Sequence, residues 1–305
     1  MCPYIIKFNF KHLEVFPSIV MPSGARLIHK NDTIKFNFKE VYAFKNYNLT
    51  RVEIESLLRS IPKHYFSSLE KSNFGLDLAT GDYIVFFDSD DLMTVDHVQV
   101  KYDLINSGDY DFGITRTEYF NYTNEKINKY YNFTTKDISK ENYILKKINW
   151  LTLDVIIKST LSQKLRFNEY IKTSQEYNYY SKLLCYSENG IFLNKTISLR
   201  RHHENSKRSN LKNNKSIYFS NAVAAWFTYL ETSSFLTNKI KRQILFRAYK
   251  YSIRLKKIPK PIKLNIFLWH IAKIFKFNGI IKMVYFLVVK YKVPGYFLKE
   301  KAMKS

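Results

Sequence analysis

A continuous apolar run in the first third of the chain ends directly in three carboxylates. Residues 83–87 read Tyr-Ile-Val-Phe-Phe, and Asp88, Asp90 and Asp91 follow. A run without polar positions is typical of a strand buried on both faces of a parallel sheet. Ligands of open α/β sheets bind beyond the carboxyl ends of such strands. The pattern therefore predicts a buried parallel strand whose end carries an acidic ligand site.

The spacing of apolar residues elsewhere predicts further strands and helices. The predicted elements are strands at residues 4–8 and 33–38, a helix at 52–59, a short helix at 72–80, a helix at 95–105 with Val98, Tyr102 and Ile105 facing the core, a strand entered at 109–114, a strand at 153–158 and a helix from 174 to about 186. Residues 118–143 are polar and rich in Asn and Tyr, so we expect a mobile flap there.

Positive charge is concentrated in the last third of the chain. Residues 206–305 contain 22 lysines and arginines but only two acids, so +20 of the net charge of +23 lies there. A basic segment attached to a nearly neutral one indicates an anionic partner. Its many aromatic and aliphatic residues argue against a disordered polycation. We therefore expect a domain at residues 1–205 and a basic, aromatic-rich helical extension at 206–305.

The extension has the pattern of helices that bind a membrane surface. Residues 239–257 alternate cations with apolar positions, and residues 264–276 place Trp269 among other apolar side chains. The longest apolar run, residues 283–289, spans ~10 Å as a helix against a hydrocarbon core of roughly 30 Å. We expect peripheral attachment to an anionic membrane surface. The alternative is that these helices pack on the preceding domain and expose a solvated charged face.

Length and composition limit the classes of function. A chain of 305 residues can bury a substantial core and is too long for a bare binding module. Cys2 and Cys185 lie far apart without metal-ligand spacing, which fits a reducing cytosol. No signal-peptide pattern is present at the N-terminus, so we expect a cytoplasmic protein, peripheral on the inner face of the cytoplasmic membrane. The basic charge comes without a nucleic-acid reading motif, so we expect no nucleic-acid partner.

The three carboxylates have two chemical interpretations. Clustered carboxylates repel one another, so a site that keeps them together normally supplies a cation. Hard oxygen ligands favour Mg²⁺, Mn²⁺ or Ca²⁺. In the other interpretation, Asp88 or Asp90 merely caps a helix that begins near Leu92.

The residues around these acids resemble a known enzyme family. Residues 72–91 read S-N-F-G-L-D-L-A-T-G-D-Y-I-V-F-F-D-S-D-D, which resembles the middle of family 2 glycosyltransferases of the GT-A fold. In that family the aspartates form the DXD motif, which holds a divalent metal against the sugar-nucleotide pyrophosphate. The resemblance implies a Rossmann-like α/β domain with a mixed, mainly parallel sheet flanked by helices. It also implies that Asp90 binds Mn²⁺ or Mg²⁺ and that Asp88, Asp90 and Asn73 contact the donor.

The first 70 residues depart from the family pattern. Family members usually open with a strand that ends in a proline and an asparagine, followed later by an acidic pair that contacts the nucleotide. Neither pattern is present, and Asp32 is the only aspartate before Asp77. The nucleotide-binding half is therefore divergent in sequence.

A second segment resembles the stretch of the family that carries the general base. Residues 167–177 read F-N-E-Y-I-K-T-S-Q-E-Y, and the resemblance implies that Glu176 is the catalytic base, with Glu replacing the commoner Asp. A carboxylate in the first turn of a helix is stabilised by the helix macrodipole. The alternative is structural, because residues 173–176 also fit a capping box in which Glu176 binds a backbone N–H.

A third segment, residues 201–206, reads R-H-H-E-N-S and is similar to the R-x-H-x-x-S segment that closes the family's catalytic domain. The resemblance implies that His203 completes the metal shell and that Arg201 binds donor phosphate. The alternative is a solvated basic loop at the start of the extension.

Together these resemblances imply an inverting, metal-dependent hexosyltransferase of cell-surface polysaccharide synthesis. It would move a sugar from a nucleotide sugar, UDP-linked by family inference, to a hydroxyl of a glycan or lipid-linked acceptor. Two alternatives stay open. A catalytically degenerate GT-A protein would act as a membrane-binding or polyanion-binding module. A haloacid-dehalogenase-type phosphatase would use Asp88 as nucleophile and Asp90 as proton donor, although that pattern expects Thr or Val where Leu92 stands.

Overall fold

The computed structural model describes most of the chain after residue 71. The described residues are 72–73, 75–77, 79–88, 91–120, 131–201 and 214–290, together with the backbone of 3–7, 25–29 and 32–36. The helix expected at residues 52–59 lies outside this part. The helix expected at 72–80 is confirmed for the described residues between 72 and 77.

The chain forms two compact units that are not divided at a single point. The first unit comprises residues 1–138, 148–167 and 186–202, and the second comprises 139–147, 168–185 and 203–305. The chain finally leaves the first unit after residue 202, whereas the expected boundary was at residue 205. Two earlier segments also belong to the second unit, because their side chains pack with those of the C-terminal helices.

The first unit is built on a six-stranded sheet with the strand order β1-β4-β7-β6-β8-β5 in the described part of the chain. Its strands are β1 (Pro3–Lys7), β4 (Tyr83–Asp88), β5 (Leu92–Met93), β6 (Phe112–Tyr119), β7 (Val155–Lys158) and β8 (Gly190–Arg200), while β2 (Ala25–His29) and β3 (Asp32–Phe36) form a separate hairpin. Helices α1 (His97–Asn106) and α3 (Ser159–Ser162) also belong to this unit. The strands predicted near residues 4, 33, 83, 112 and 155 are thereby confirmed.

Strand β4 is buried as predicted, but its neighbours run antiparallel to it. Ile84, Val85 and Phe86 are at most 1% exposed. β4 pairs antiparallel with both β1 and β7, and only the β6–β8 pairing is parallel among the described pairs. The mixed sheet flanked by helices is confirmed, whereas the expectation of mainly parallel strands is wrong for these pairs. A continuous apolar run indicates that both faces of a strand are buried. It does not indicate whether the neighbouring strands run parallel or antiparallel to it.

Helix α1 occurs where it was predicted but buries a more polar face. His97, Lys101, Leu104 and Ile105 are its buried residues, whereas Val98 is only half-buried. The predicted core stripe is therefore wrong except at Ile105. Its place is taken by two polar side chains that find hydrogen-bond partners in the sheet.

Part of the segment expected to be a mobile flap is core. β6 extends to Tyr119, and Tyr131 and Phe133 are 5% and 8% exposed. Phe133 stacks on Phe192 with ring centroids 4.3 Å apart. The flap interpretation is wrong for these residues, because aromatic rings that were interpreted as loop composition fill the interior of the unit.

The second unit is helical. Its helices are α2 (Lys140–Ile144), α4 (Gln175–Tyr186), α5 (Asn214–Thr232), α6 (Asn238–Leu255), α7 (Leu264–Phe275) and α8 (Phe277–Lys290). Helix α4 belongs to this unit as far as Cys185. The helices predicted near 174–186, 239–257 and 264–276 are confirmed, and the apolar run 283–289 lies within α8. Trp226, Ile244, Phe267 and Phe286 belong to one buried core that α5 to α8 share. The apolar face of the amphipathic helix α6 therefore packs against the other helices of this unit.

The last two helices in the described part of the chain, α7 and α8, have 12 and 14 described residues. Among the described helices, none is long and apolar enough to cross a membrane.

Candidate active site

The predicted acidic site occupies a tight turn at the end of β4. The N–H of Asp91 donates to the carbonyl oxygen of Asp88 at 3.1 Å, which closes a four-residue turn over residues 88–91. Asp88 is half-buried and Asp91 is 8% exposed. Asp90, the predicted metal ligand, lies outside the described residues. Of the three predicted acids, the structure describes Asp88 and Asp91, and it places both at the end of β4.

The structure joins this turn to the third predicted segment, 110 residues away. The Asp91 carboxylate accepts a hydrogen bond from the backbone N–H of Arg201 at 2.8 Å. Strand β5, which follows the turn, pairs with the end of β8, with Leu92 opposite Leu199. The Arg201 guanidinium is exposed and lies 5.1 Å from the centroid of the Phe120 ring. The backbone of Arg201 is thus held at the acidic turn, and His203 lies outside the described residues.

Asn73, predicted to contact the donor, has a clear structural contact. Its side-chain amide donates to the carbonyl of Phe167 at 2.9 Å, and its oxygen accepts from the N–H of Phe167 at 2.7 Å. This pair of bonds ties the helical residues before β4 to the segment that leads toward α4. The donor-binding role of Asn73 stays a prediction.

Glu176 belongs to the second unit and occupies the first turn of α4, as predicted. It is half-buried. Within the described part of the chain, its carboxylate forms no hydrogen bond or ion pair, so the capping-box contact is not formed there. Ser174, just before the helix, has φ of 63° and turns the chain sharply into α4. The role of Glu176 as a base stays a prediction.

The carboxylates at the turn have the chemistry that a hard divalent cation requires. Aspartate oxygens are favoured ligands of Mg²⁺ and Mn²⁺, and the burial of Asp91 beside Asp88 would make an uncompensated charge costly. Among the described residues, no group of three or more His, Cys, Asp and Glu side chains has metal-site geometry. Asp90 and His203 lie outside that set. The residues at the turn therefore fit a cation, and its binding stays a proposal.

A buried polar network in the first unit was missed by the sequence analysis. The ammonium of Lys101 on α1 donates to the carbonyl oxygen of Asp154 at 2.5 Å and to Thr115 Oγ1 at 3.2 Å. The Asp154 carboxylate accepts from Thr117 Oγ1 at 2.5 Å and from Tyr131 OH at 2.9 Å. Lys101 and Asp154 are fully buried. The network joins α1 to β6 and to the turn before β7.

His97 supports the strand end that carries Arg201. Its Nδ1–H donates to the carbonyl oxygen of Ile197 at 2.9 Å, and the N–H of Thr94 donates to the same oxygen at 3.1 Å. Burial lowers the pKa of His97 to about 3, so the ring is neutral at pH 7. These bonds fix β8 beside β5 a few residues before Arg201.

Replacing Asp154 by Asn is expected to destabilise the protein by about 3 kcal/mol, because a buried ammonium is left without an opposite charge. The amide also cannot accept every bond that the carboxylate accepts. Urea unfolding measures the change. The double variant Lys101→Met with Asp154→Asn should be more stable than Asp154→Asn alone, and Asp103→Asn on the exposed side of α1 is the matched control. Equal stability of Asp154→Asn and Asp103→Asn would contradict the prediction.

The same pair gives stability a pH dependence. Burial lowers the pKa of Lys101 from 10.5 to about 7 and raises the pKa of Asp154 to about 6. Between pH 7 and 10 the unfolded chain binds the Lys101 proton more tightly than the folded chain, so this group makes stability rise with pH. Urea unfolding at pH 7 and pH 9 should show a smaller rise in Lys101→Met than in the wild type.

Comparisons with known proteins support the family suggested by the sequence. Residues 71–170 match the sequence model of glycosyl transferase family 2. The matched segment, about a third of the chain, is similar in sequence to family 2 glycosyltransferases. It contains the acidic turn, α1, the buried network and Asn73, and it ends before α4. The match agrees with the mixed sheet flanked by helices, and the fold is GT-A-like.

Solved structures give a more distant likeness. Three crystal structures of S. aureus TarS superpose with TM-scores of 0.42, 0.45 and 0.47 at 15%, 14% and 12% identity. They cover 76%, 76% and 85% of this chain. This chain spans 66%, 67% and 77% of the TarS 1-349 chains, which were solved with UDP, with UDP-GlcNAc and without a named ligand, respectively. A comparison with curated proteins finds no significant match.

Proposed function

We propose that this chain is an inverting glycosyltransferase that uses a nucleotide-sugar donor and glycosylates a hydroxyl of a glycan or lipid-linked acceptor in cell-surface polysaccharide synthesis. The observation that carries the proposal is the acidic turn at residues 88–91, which lies inside the family segment and is hydrogen-bonded to Arg201. Carboxylates suit a diphosphate only through a bound divalent cation, and a guanidinium can bind a phosphate directly.

Asp88 and Asp90 are the proposed donor-binding acids, with Asp90 and His203 as ligands of Mn²⁺ or Mg²⁺. When bound, such a cation would offset the charge that develops on the departing nucleoside diphosphate. Arg201 is proposed to bind a donor phosphate, since its guanidinium is exposed while its backbone is held by Asp91. Asn73 is proposed to hold the helix before β4 in position for donor contact.

Glu176 is the proposed general base. A half-buried carboxylate at the start of α4 can accept the proton of the acceptor hydroxyl as that oxygen attacks the anomeric carbon. A single displacement from the face opposite the leaving group inverts the anomeric configuration. The family segment ends six residues before Glu176, so this role is supported by its own sequence resemblance.

A donor panel tests the proposed activity. The full chain is incubated with UDP-, GDP-, CMP- and dTDP-sugars, with Mn²⁺ or with EDTA, and the released nucleotide is measured. UDP-GlcNAc is included because TarS was solved with it. We expect slow release of nucleotide from one donor class, and EDTA should lower its rate. The release should be faster when a membrane glycolipid extract supplies the acceptor. If no donor is bound or turned over, the chain is the degenerate alternative.

A further inference from the structure

The two C-terminal helices present an unusual exposed apolar stripe. Of the twelve large apolar residues exposed in the described part of the chain, five lie between residues 266 and 284. These five, called here the α7–α8 stripe, are Ile266 (40% exposed), Trp269 (55%), Phe277 (74%), Ile280 (55%) and Val284 (43%). Exposed single apolar residues are ordinary, whereas a concentrated set marks an interaction surface.

The stripe residues share one face of each helix. Ile266 and Trp269 are three apart on α7, and Phe277, Ile280 and Val284 follow the same three-and-four spacing on α8. The opposite faces carry the buried residues Phe267 and Ile271 on α7, and Tyr285 and Phe286 on α8. Each helix therefore has two apolar faces, of which only one packs in the core.

The corner between the helices is tight. Lys276 alone joins α7 to α8 and has φ of 53°, outside the range that most residues prefer. A Cβ on Gly279 would lie 2.5 Å from the carbonyl oxygen of Ile271, so only glycine permits this approach of the two helices. The two halves of the stripe are thus joined by a one-residue connection at which the helices approach closely.

The charges around the stripe have one sign. No acid occurs between Glu231 and Glu300, and Lys263, Lys273 and Lys276 are exposed on or beside the two helices. The ammonium of Lys273 lies 4.6 Å from the centroid of the Trp269 ring. Lysine is depleted in the apolar centre of protein interfaces, whereas lysine beside Trp and Phe is typical of helices that lie at a membrane surface.

We propose that the α7–α8 stripe docks this protein on an anionic lipid bilayer, with the apolar side chains in the headgroup boundary and the lysines at lipid phosphates. α6 supplies the contrast, because its exposed positions, including Arg242, Lys250 and Arg254, are polar and its apolar face is buried. The docking surface is therefore α7 and α8 and excludes α6. It would bring the chain to lipid-linked molecules whether or not the proposed transfer reaction occurs.

Tryptophan fluorescence can report the docking directly. The chain has three tryptophans, and Trp150 and Trp226 are 0% and 2% exposed, so only Trp269 can meet lipid. With vesicles of 70% phosphatidylcholine and 30% phosphatidylglycerol, we expect a blue shift and quenching by brominated acyl chains. Pure phosphatidylcholine vesicles should bind more weakly, since each lysine near an anionic surface contributes a factor of about five.

Paired variants locate the surface. Trp269→Gln with Phe277→Gln should lower partitioning to anionic vesicles in a sedimentation assay by at least about tenfold, because two exposed apolar anchors are lost. The matched control, Ile217→Gln with Phe235→Gln, removes two exposed apolar residues of the same unit outside the stripe and should bind like the wild type. Thermal unfolding of each variant verifies that the fold is kept.

Three results would overturn the proposal. These are absence of vesicle binding by the full chain, equal binding by the stripe variant and the wild type, and equal losses in the stripe and control variants. The stripe is instead an interface between copies of this chain if two results occur together. The wild type binds no vesicles, and it forms oligomers in sedimentation velocity whereas the stripe variant is monomeric. The assays contain no sugar donor, so their outcome is independent of the proposed transfer activity.

Discussion

Glu176→Gln is expected to lower the rate of sugar transfer by about a thousandfold while leaving the affinity for the donor unchanged. The amide keeps the shape of the side chain but cannot accept the proton of the acceptor hydroxyl, and a general base contributes roughly 10²- to 10⁴-fold. Released nucleotide measured with the donor and acceptor found in the panel gives the rate, and isothermal titration calorimetry gives donor affinity.

Two controls separate a catalytic role of Glu176 from a structural one. Glu169→Gln removes an exposed carboxylate seven residues earlier in the same unit and should keep transfer. The melting temperature of Glu176→Gln should equal that of the wild type, because its carboxylate has no hydrogen bond within the described residues. Wild-type transfer by Glu176→Gln would remove it from the mechanism, and a lowered melting temperature would favour the capping role.

Asp90→Asn is expected to weaken donor binding in Mn²⁺ by at least about 30-fold, because it removes a charge from the proposed cation site next to the donor diphosphate. In EDTA, the variant and the wild type should bind the donor equally weakly. Isothermal titration calorimetry with the donor from the panel measures both conditions.

The matched control for Asp90 is Asp103→Asn, an exposed aspartate of the same unit that accepts a hydrogen bond from Gln99. It changes the net charge by the same amount and should bind donor like the wild type. Loss of affinity in both variants would mean that overall charge, rather than the acidic turn, sets binding. Unchanged affinity in Asp90→Asn would remove that residue from the donor site.

The sequence was sufficient to predict the elements that position the site. β4, α1 and α4 occur where the sequence predicted them, although α1 buries a different face from the predicted one. Local sequence could not show that Arg201 returns to the acidic turn. That contact depends on β8 pairing with β5 across more than 100 residues.

The buried network was missed for a different reason. Because a lysine on a helix normally faces solvent, apolar spacing places Lys101 outside the core and predicts the wrong face of α1 as buried. One signal was available, since Asp154 is a lone acid at the start of the apolar run that forms β7. A buried carboxylate requires partners, and these come from β6 and α1.

The extension shows what amphipathic pattern alone leaves undecided. α6, α7 and α8 all have apolar stripes flanked by cations, yet α6 turns its stripe into the core while α7 and α8 each have a second apolar face. Sequence spacing does not tell which face the tertiary structure covers. The exposure of Trp269 and Phe277 makes that distinction.

Phosphorus NMR of the donor with Mn²⁺ is the most direct measurement of the central claim, that the acids after β4 hold the nucleotide diphosphate. Substoichiometric protein is added to the donor with trace Mn²⁺, and the line widths of the two phosphorus resonances are compared with those of a protein-free sample for the wild type and Asp90→Asn. We predict broadening beyond the protein-free value with the wild type that Asp90→Asn largely abolishes and Asp103→Asn retains. Equal broadening with the wild type and Asp90→Asn, or none with the wild type, would contradict the claim.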